Sequence, residues 1–248
     1  TVHDVAYIIN DCKPDAIWTS KSKEAMAREA IAEAGHTMDV LIMDDYEMED
    51  AADEQIADVQ YDDEQLALLC YTSGTTGSPK GVMLTFRNIL SMAQAVGQDV
   101  PIITPERRSL VLLPLHHVLP LVGSLFIPIV NGGGVAICPS LAAADIMGTL
   151  QRGQIGVMIG VPRLWQTLFR GIKGKVDAHA ITRMLYNLCD KVQSYRFSRL
   201  VFGSVHKKMG GHLDYCVSGG AALDAETARG LKTLGLRVLE GYGMTETS

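Results

Sequence analysis

The chain has 248 residues, 47% hydrophobic and 20% charged, a composition ordinary for a soluble globular protein and sufficient for a sizeable core. Its 22 basic and 28 acidic side chains leave a formal charge of −6, which excludes a protein that coats nucleic acid through its overall charge. No apolar run reaches the roughly 18 residues of a bilayer span.

Short apolar, β-branched runs alternate with helical periods almost throughout, which predicts an α/β fold of mostly parallel sheets with helices packed on them. After an opening that already reads as helix, a strand at 16–19 is followed by a helix at about 21–34 and a strand at 40–43. Strands at 66–71 and 82–85 come next, then a helix over 86–97 with Thr85 as its cap. The pattern continues with strands at 110–113 and 135–138, a helix over 142–152, a strand at 156–159, and helices over 162–169 and 181–194. It closes with a strand at 213–218, a helix over 225–234 capped by Asp224, and a strand at 237–240.

Cys12, Cys70, Cys138, Cys189 and Cys216 are odd in number, widely spaced and mostly set in apolar runs, so they read as reduced core thiols. Together with an opening that lacks a signal pattern, they predict a cytoplasmic protein. Both ends read as those of an excised segment. Charge is unevenly spread. From Glu29 to Pro79 there is no Lys or Arg, yet 14 of the 28 acidic residues fall there, concentrated between Asp44 and Glu64, which reads as a solvated connector leading into the strand at 66–71. From Arg170 to Lys208 nine basic residues face only Asp177 and Asp190. Two readings stay open for that block: the solvated faces of two helices, or attraction of the phosphates of coenzyme A or of a membrane surface.

The most informative stretch is Tyr71-Thr72-Ser73-Gly74-Thr75-Thr76-Gly77-Ser78-Pro79-Lys80-Gly81, between two strands. Glycines let backbone N–H groups converge, hydroxyls add donors without bulk, and Lys80 supplies a cation, a composition suited to a polyphosphate. It is not the common triphosphatase loop, because Pro79 stands five positions after Gly74 and Gly81 follows Lys80 where that loop has Ser or Thr. This string, with Val82, resembles the signature of the adenylate-forming superfamily, which includes acyl-coenzyme A synthetases and peptide-synthetase adenylation domains. Twelve consecutive positions agree, from Tyr71 to Val82.

Three further stretches occur in that family's order. Glu240-Gly241-Tyr242-Gly243-Met244-Thr245-Glu246 resembles the element in which tyrosine packs on adenine, threonine contacts the α-phosphate and glutamate helps hold the metal. Ser218-Gly219-Gly220-Ala221-Ala222-Leu223 is similar to the element beside adenine, with Ala222 where proline is usual. In Leu113-Pro114-Leu115-His116-His117-Val118, the histidines are expected to point in different directions, and a single buried, hydrogen-bonded histidine is the plain alternative. The resemblance makes His117 an orienting and gating ring beside an acyl tunnel. Gly160-Val161-Pro162-Arg163-Leu164-Trp165 looks like a helix start of the acyl-coenzyme A branch, with Trp165 read as core.

The resemblance implies a long-chain fatty-acid–coenzyme A ligase that uses ATP, Mg²⁺ and coenzyme A and forms an acyl-adenylate. Thr72, Ser73, Gly74, Thr75, Thr76, Gly77, Ser78 and Lys80 would hold phosphates; Gly219, Gly220, Ala221, Glu240, Gly241, Tyr242, Gly243 and Thr245 would hold the nucleotide. Glu246 and Thr75 are the metal contacts, and Lys80, Thr245, Glu246 and His117 the catalytic set. It also implies that residues 1–248 are the central part of a large N-terminal AMP-binding domain, without its opening part, its ribose-binding end or the C-terminal lysine domain, so that this piece has little activity alone. An amino-acid adenylation domain is the alternative within the superfamily; a nucleotide-binding module without turnover is one outside it. The absence of an acid in Val118-Leu119-Pro120-Leu121-Val122-Gly123 favours an uncharged acyl tail over a substrate ammonium.

Overall fold

A computed structural model describes residues 1–45, 60–73, 79–100 and 102–247. The chain divides into two compact units: Thr1–Asp62 with Tyr71–Val82, and Asp63–Cys70 with Met83–Ser248.

In the first unit, helix α1 (Val2–Cys12) starts at a reciprocal cap in which Asp4 N–H donates to the Thr1 hydroxyl and the Asp4 carboxylate accepts from the Thr1 amino group. Strand β1 (Ala16–Thr19) pairs in parallel with β2 (Asp39–Ile42), in register from Ala16 opposite Asp39 to Thr19 opposite Ile42. The crossover is helix α2 (Glu24–Ala34), ended by Gly35 in the left-handed region at φ 70°. Ala6 and Ile9 of α1 and Ala30 and Ile31 of α2 form the buried centre, with Ile17 and Val40 packed against them. Most of the acidic stretch Asp44–Glu64, expected to be a connector, lies outside the described residues.

Strands β3 (Leu66–Ser73) and β4 (Pro79–Thr85) form a two-stranded sheet. Both are longer than the sequence predicts. Thr85 caps helix α3 (Phe86–Asp99) as expected, with Asn88 N–H donating to its hydroxyl at 3.3 Å.

The second unit is built on five parallel strands in the order β6 (Val135–Ile137), β5 (Arg108–Val111), β7 (Ile155–Gly160), β8 (Tyr215–Ser218), β9 (Arg237–Glu240). All six residues of β7 are buried, as a strand covered on both faces requires. Met158 joins Leu110, Cys216 and Trp165 in the larger core, with helices α5 (Ala143–Gly153), α6 (Pro162–Asp177), α7 (Ala180–Val192) and α10 (Ala225–Thr233) contributing. Val157 and Ile159 join a second core with Ala93 of α3, Val122 and Ile127. Truncating a fully buried side chain such as Leu110 costs about 2–5 kcal/mol.

Several sequence expectations need correction. The strand expected at 110–113 is Arg108–Val111, because pairing begins at Arg108 with β7 and at Ser109 with β6. The strand expected at 213–218 starts at Tyr215; Asp214 N–H still donates to Gly156 O at 3.0 Å. Helix α6 runs eight residues past the expected end at Phe169, since Val176 is buried and Lys173 bonds Asp177 one turn on. The apolar stretch after His117, given no element from sequence, is a π-helix (Leu119–Phe126) leading into the short α4 (Ile127–Val130). Helices α8 (Tyr195–Val201) and α9 (Gly203–Lys208) were likewise not predicted. Cys70, Cys138, Cys189 and Cys216 are buried and free, as expected of core thiols; Cys12 is free and half-buried.

Candidate nucleotide and acyl site

The chain leaves β5 toward β6 on one side, then crosses to β7 and proceeds through β8 to β9 on the other. Connections that depart in opposite directions from adjacent parallel strands leave a crevice at their carboxyl ends, where ligands of open α/β sheets bind. The sequence-derived residues of this unit gather at those ends. Gly219 N–H donates to Gly160 O at 3.0 Å, and Gly241 N–H donates to Ser218 O at 2.8 Å, so the ends of β7, β8 and β9 are tied together. The Glu240 carboxylate accepts from Leu223 N–H at 3.3 Å and so ties the turn after β8 to the end of β9. Gly220 turns that loop at φ 81°.

Gly219 lies bare under the π-helix: a Cβ there would stand 3.1 Å from Leu119 Cδ2 and 3.5 Å from Gly241 O. This close approach connects the segment carrying His117 to the glycine turn. His117 itself sits in a turn, its N–H donating to Pro114 O at 3.4 Å and its O accepting from Leu121 N–H at 3.2 Å. Both His116 and His117 are exposed, and their rings are 4.2 Å apart at 49°. The expectation that the two rings diverge is therefore wrong, and neither is the buried, hydrogen-bonded histidine of the plain alternative. The turn brings consecutive side chains together where a strand would have separated them.

Beyond β9, Gly241, Tyr242 and Gly243 are exposed, with the Tyr242 ring 93% accessible. An aromatic face flanked by glycines and left uncovered by its own chain fits a flat base. Thr245 and Glu246 begin a 3₁₀ turn, Thr245–Thr247. Thr247, which the sequence reading passed over, closes it: its hydroxyl accepts from Met244 N–H at 3.2 Å and donates to Met244 O at 3.0 Å. Glu246 is exposed, and no ion pair involving it occurs among the described residues. No cluster of three His, Cys, Asp or Glu occurs among the described residues. A single free carboxylate fits Mg²⁺, which keeps its waters and leans on substrate phosphates; it does not fit a metal caged by protein. The Ser218 hydroxyl, buried where β8 meets the glycine turn, has no hydrogen-bond partner among the described residues. Trp165 is fully buried, as read from sequence, and its ring and Leu164 close over Gly160, where a Cβ would meet them at 3.1 and 2.7 Å.

Thr72, Ser73 and Lys80 belong to the strand pair of the first unit, and Gly74, Thr75, Thr76, Gly77 and Ser78 lie outside the described residues. On either side of this stretch, Tyr71 and Pro79 are both held by α1. Tyr71 donates its hydroxyl to Asp11 at 2.6 Å, and Tyr7 donates to Pro79 O at 3.2 Å. Burial, then the bond to Asp11, push the Tyr71 phenol up, so it remains a neutral donor. Lys80 is exposed on β4 and makes no ion pair among the described residues.

A parallel sheet with glycine turns and one uncovered aromatic ring at the carboxyl ends of neighbouring strands is the architecture of a nucleotide-binding α/β protein. The chain belongs to the AMP-binding enzyme family, which matches it over residues 1–248. Long-chain-fatty-acid–CoA ligase 1 of Schizosaccharomyces pombe is 31% identical over 202 residues, covering 75% of this chain and 30% of that protein. The human long-chain-fatty-acid–CoA ligase ACSBG2 is 32% identical over 206 residues, covering 74% of this chain and 31% of its own length. The chain thus spans less than a third of these relatives. Among solved structures, ATP-bound MatB from Rhodopseudomonas palustris superposes with a TM-score of 0.72 at 26% identity, over 99% of this chain and 43% of that one. The N-terminal domain of FACL13 from Mycobacterium tuberculosis, at 21% identity and a TM-score of 0.69 over 99% of this chain and 55% of that one, shares the fold.

Proposed function

We propose that this chain is the central part of the large AMP-binding domain of an ATP-dependent acid–thiol ligase that joins a long-chain fatty acid to coenzyme A. The observation that carries the substrate class is the π-helix after His117. Leu119 to Phe126 holds no charged side chain, buries Val122 and Ser124, and lies against Gly219. An acyl chain loses nothing in such surroundings, whereas an ammonium group would be stranded without a counter-charge. The ligase names of the curated relatives support the same reading.

In the reaction, a carboxylate oxygen attacks the α-phosphorus of ATP and pyrophosphate departs. A thiol then attacks the acyl carbon and AMP departs. Tyr242 and the turns at Gly219–Ala221 and Glu240–Gly243 orient the base. Thr245 contacts the α-phosphate, and Thr72, Ser73 and Lys80, with residues 74–78, offset the charge of the departing pyrophosphate. Mg²⁺, held at Glu246 and Thr75, would supply further neutralisation of phosphate charge. His117 orients the acyl carboxylate and needs no nucleophilic role.

Titration of the chain with non-hydrolysable acyl-sulfamoyl adenosines tests this without requiring turnover. The hexadecanoyl compound is expected to bind more tightly than the leucyl or phenylalanyl compound. Preference for an aminoacyl compound would overturn the fatty-acid reading and favour an amino-acid adenylation domain.

A further inference from the structure

We propose that the outward face of α7 is a docking surface for an anionic lipid bilayer. One face of this helix is ordinary: Tyr186 and Cys189 are buried in the main core. The other face is not polar, as the solvent side of a globular helix normally is. Ile181 is 71% exposed, Met184 64%, Leu188 46% and Val192 50%. Their spacing of three, four and four residues places them in one stripe along the helix.

Cations flank the stripe. Arg183, Met184, Leu188 and Lys191 line one open depression over α7, and neither Arg183 nor Lys191 makes an ion pair among the described residues. Both acids of the basic block are already engaged, Asp177 by Lys173 at 2.6 Å and Asp190 by Arg229 at 2.8 Å. Neither acid of the block is thus left to pair with Arg183 or Lys191, although Asp190 lies on α7 itself, in a chain whose formal charge is −6.

The shape selects among anionic partners. The depression is lined by one helix alone, so it offers no enclosing walls for a small ligand such as coenzyme A. The exposed stripe holds flexible aliphatic side chains and Met, without the Trp or Tyr anchors that dominate protein interfaces. Aliphatic side chains projecting between cations match the boundary between headgroups and acyl chains, where an amphipathic helix lies parallel to the surface. This surface is separate from the nucleotide turns and does not depend on the catalytic assignment.

The test is co-sedimentation of the 248-residue chain with vesicles of phosphatidylcholine alone or with phosphatidylserine added, at low and high salt. Binding is expected only to the anionic vesicles and is expected to weaken with salt. Arg183→Gln with Lys191→Gln should weaken it about thirtyfold, the factor for two basic groups near an anionic surface. Met184→Ser with Leu188→Ser should weaken it at least about tenfold. All four positions are exposed, and unchanged circular dichroism checks the fold of each variant. No binding, equal binding to both vesicle types, or binding that neither double variant weakens overturns the proposal. So does self-association abolished by Met184→Ser with Leu188→Ser, which would put a second copy on this face, or retention on polyglutamate without vesicle binding, which would assign it to an acidic protein.

Discussion

Replacing Tyr71 and Tyr7 by Phe removes the two hydroxyls through which α1 holds the strand ends on either side of residues 74–78. The Tyr71 bond to Asp11 is short, 2.6 Å, and accepted by a carboxylate, but solvent reaches it, so its net worth is about 1 kcal/mol. The neutral bond from Tyr7 to Pro79 O, at 3.2 Å, is worth about 0.5–1 kcal/mol. Together they come to roughly 2 kcal/mol, or about a thirtyfold change in the fraction of molecules with both strand ends held. If that fraction governs phosphate binding, Tyr7→Phe with Tyr71→Phe should weaken Mg·ATP binding by up to about thirtyfold, and each single change by less. Calorimetric titration with Mg·ATP, alongside thermal unfolding of each variant, reads both effects. A double variant that melts earlier yet binds Mg·ATP with unaltered affinity would refute the reasoning, because α1 would then stabilise its own unit without acting on the phosphate loop.

Tyr242→Ala should leave the melting temperature unchanged, since the ring is 93% exposed, while costing about 1–3 kcal/mol of adenosine binding, the range for stacking a base on an aromatic ring; fluorescence titration with a labelled AMP checks it. Gly210→Ala should be severe, because the residue sits at φ 85° and a Cβ would stand 2.3 Å from the backbone O of Leu150; a loss of at least about 2 kcal/mol is expected in urea unfolding. His206 contacts Leu234 O at 2.9 Å, and burial lowers its imidazole below the ordinary 6.5. The unfolded chain therefore takes up a proton first as pH falls, and stability is lost as pH drops below 6.5 toward the folded value. The melting temperature of the native protein should fall more between neutral and mildly acidic pH than that of His206→Gln, and equal falls would count against this assignment.

The elements legible in the sequence are those whose boundaries are set locally. Strand β1 stands between Pro14 and Ser20, and the starts of α3 and α10 follow from Thr85 and Asp224, whose side chains accept the N–H groups three residues on. Where partners elsewhere in the chain decide, the sequence misleads. Arg108 and Ser109 enter β5 because Ile155, Val157 and Val135 are there to pair with them, and no local pattern announces that. Gly171 and Gly174 look like breakers, yet α6 passes through both because Val176 has a core to enter. Pro120, Gly123 and Pro128 hid the π-helix and α4, whose irregular turns admit such residues. In the candidate site, the glycines and Tyr242 named from motif order follow the ends of β8 and β9. Motif order could not reveal that Thr247 folds the final turn, that Glu240 reaches Leu223, or that Tyr7 and Asp11 hold Pro79 and Tyr71 on either side of residues 74–78, since each depends on a contact made in three dimensions.

The most direct test of the central claim is exchange of labelled pyrophosphate into ATP by the protein extended over the full length of its relatives. Exchange that requires a long-chain fatty acid and Mg²⁺, and that collapses on Thr245→Ala, is the predicted result. Exchange driven by an amino acid, or none with any carboxylic acid, would contradict it.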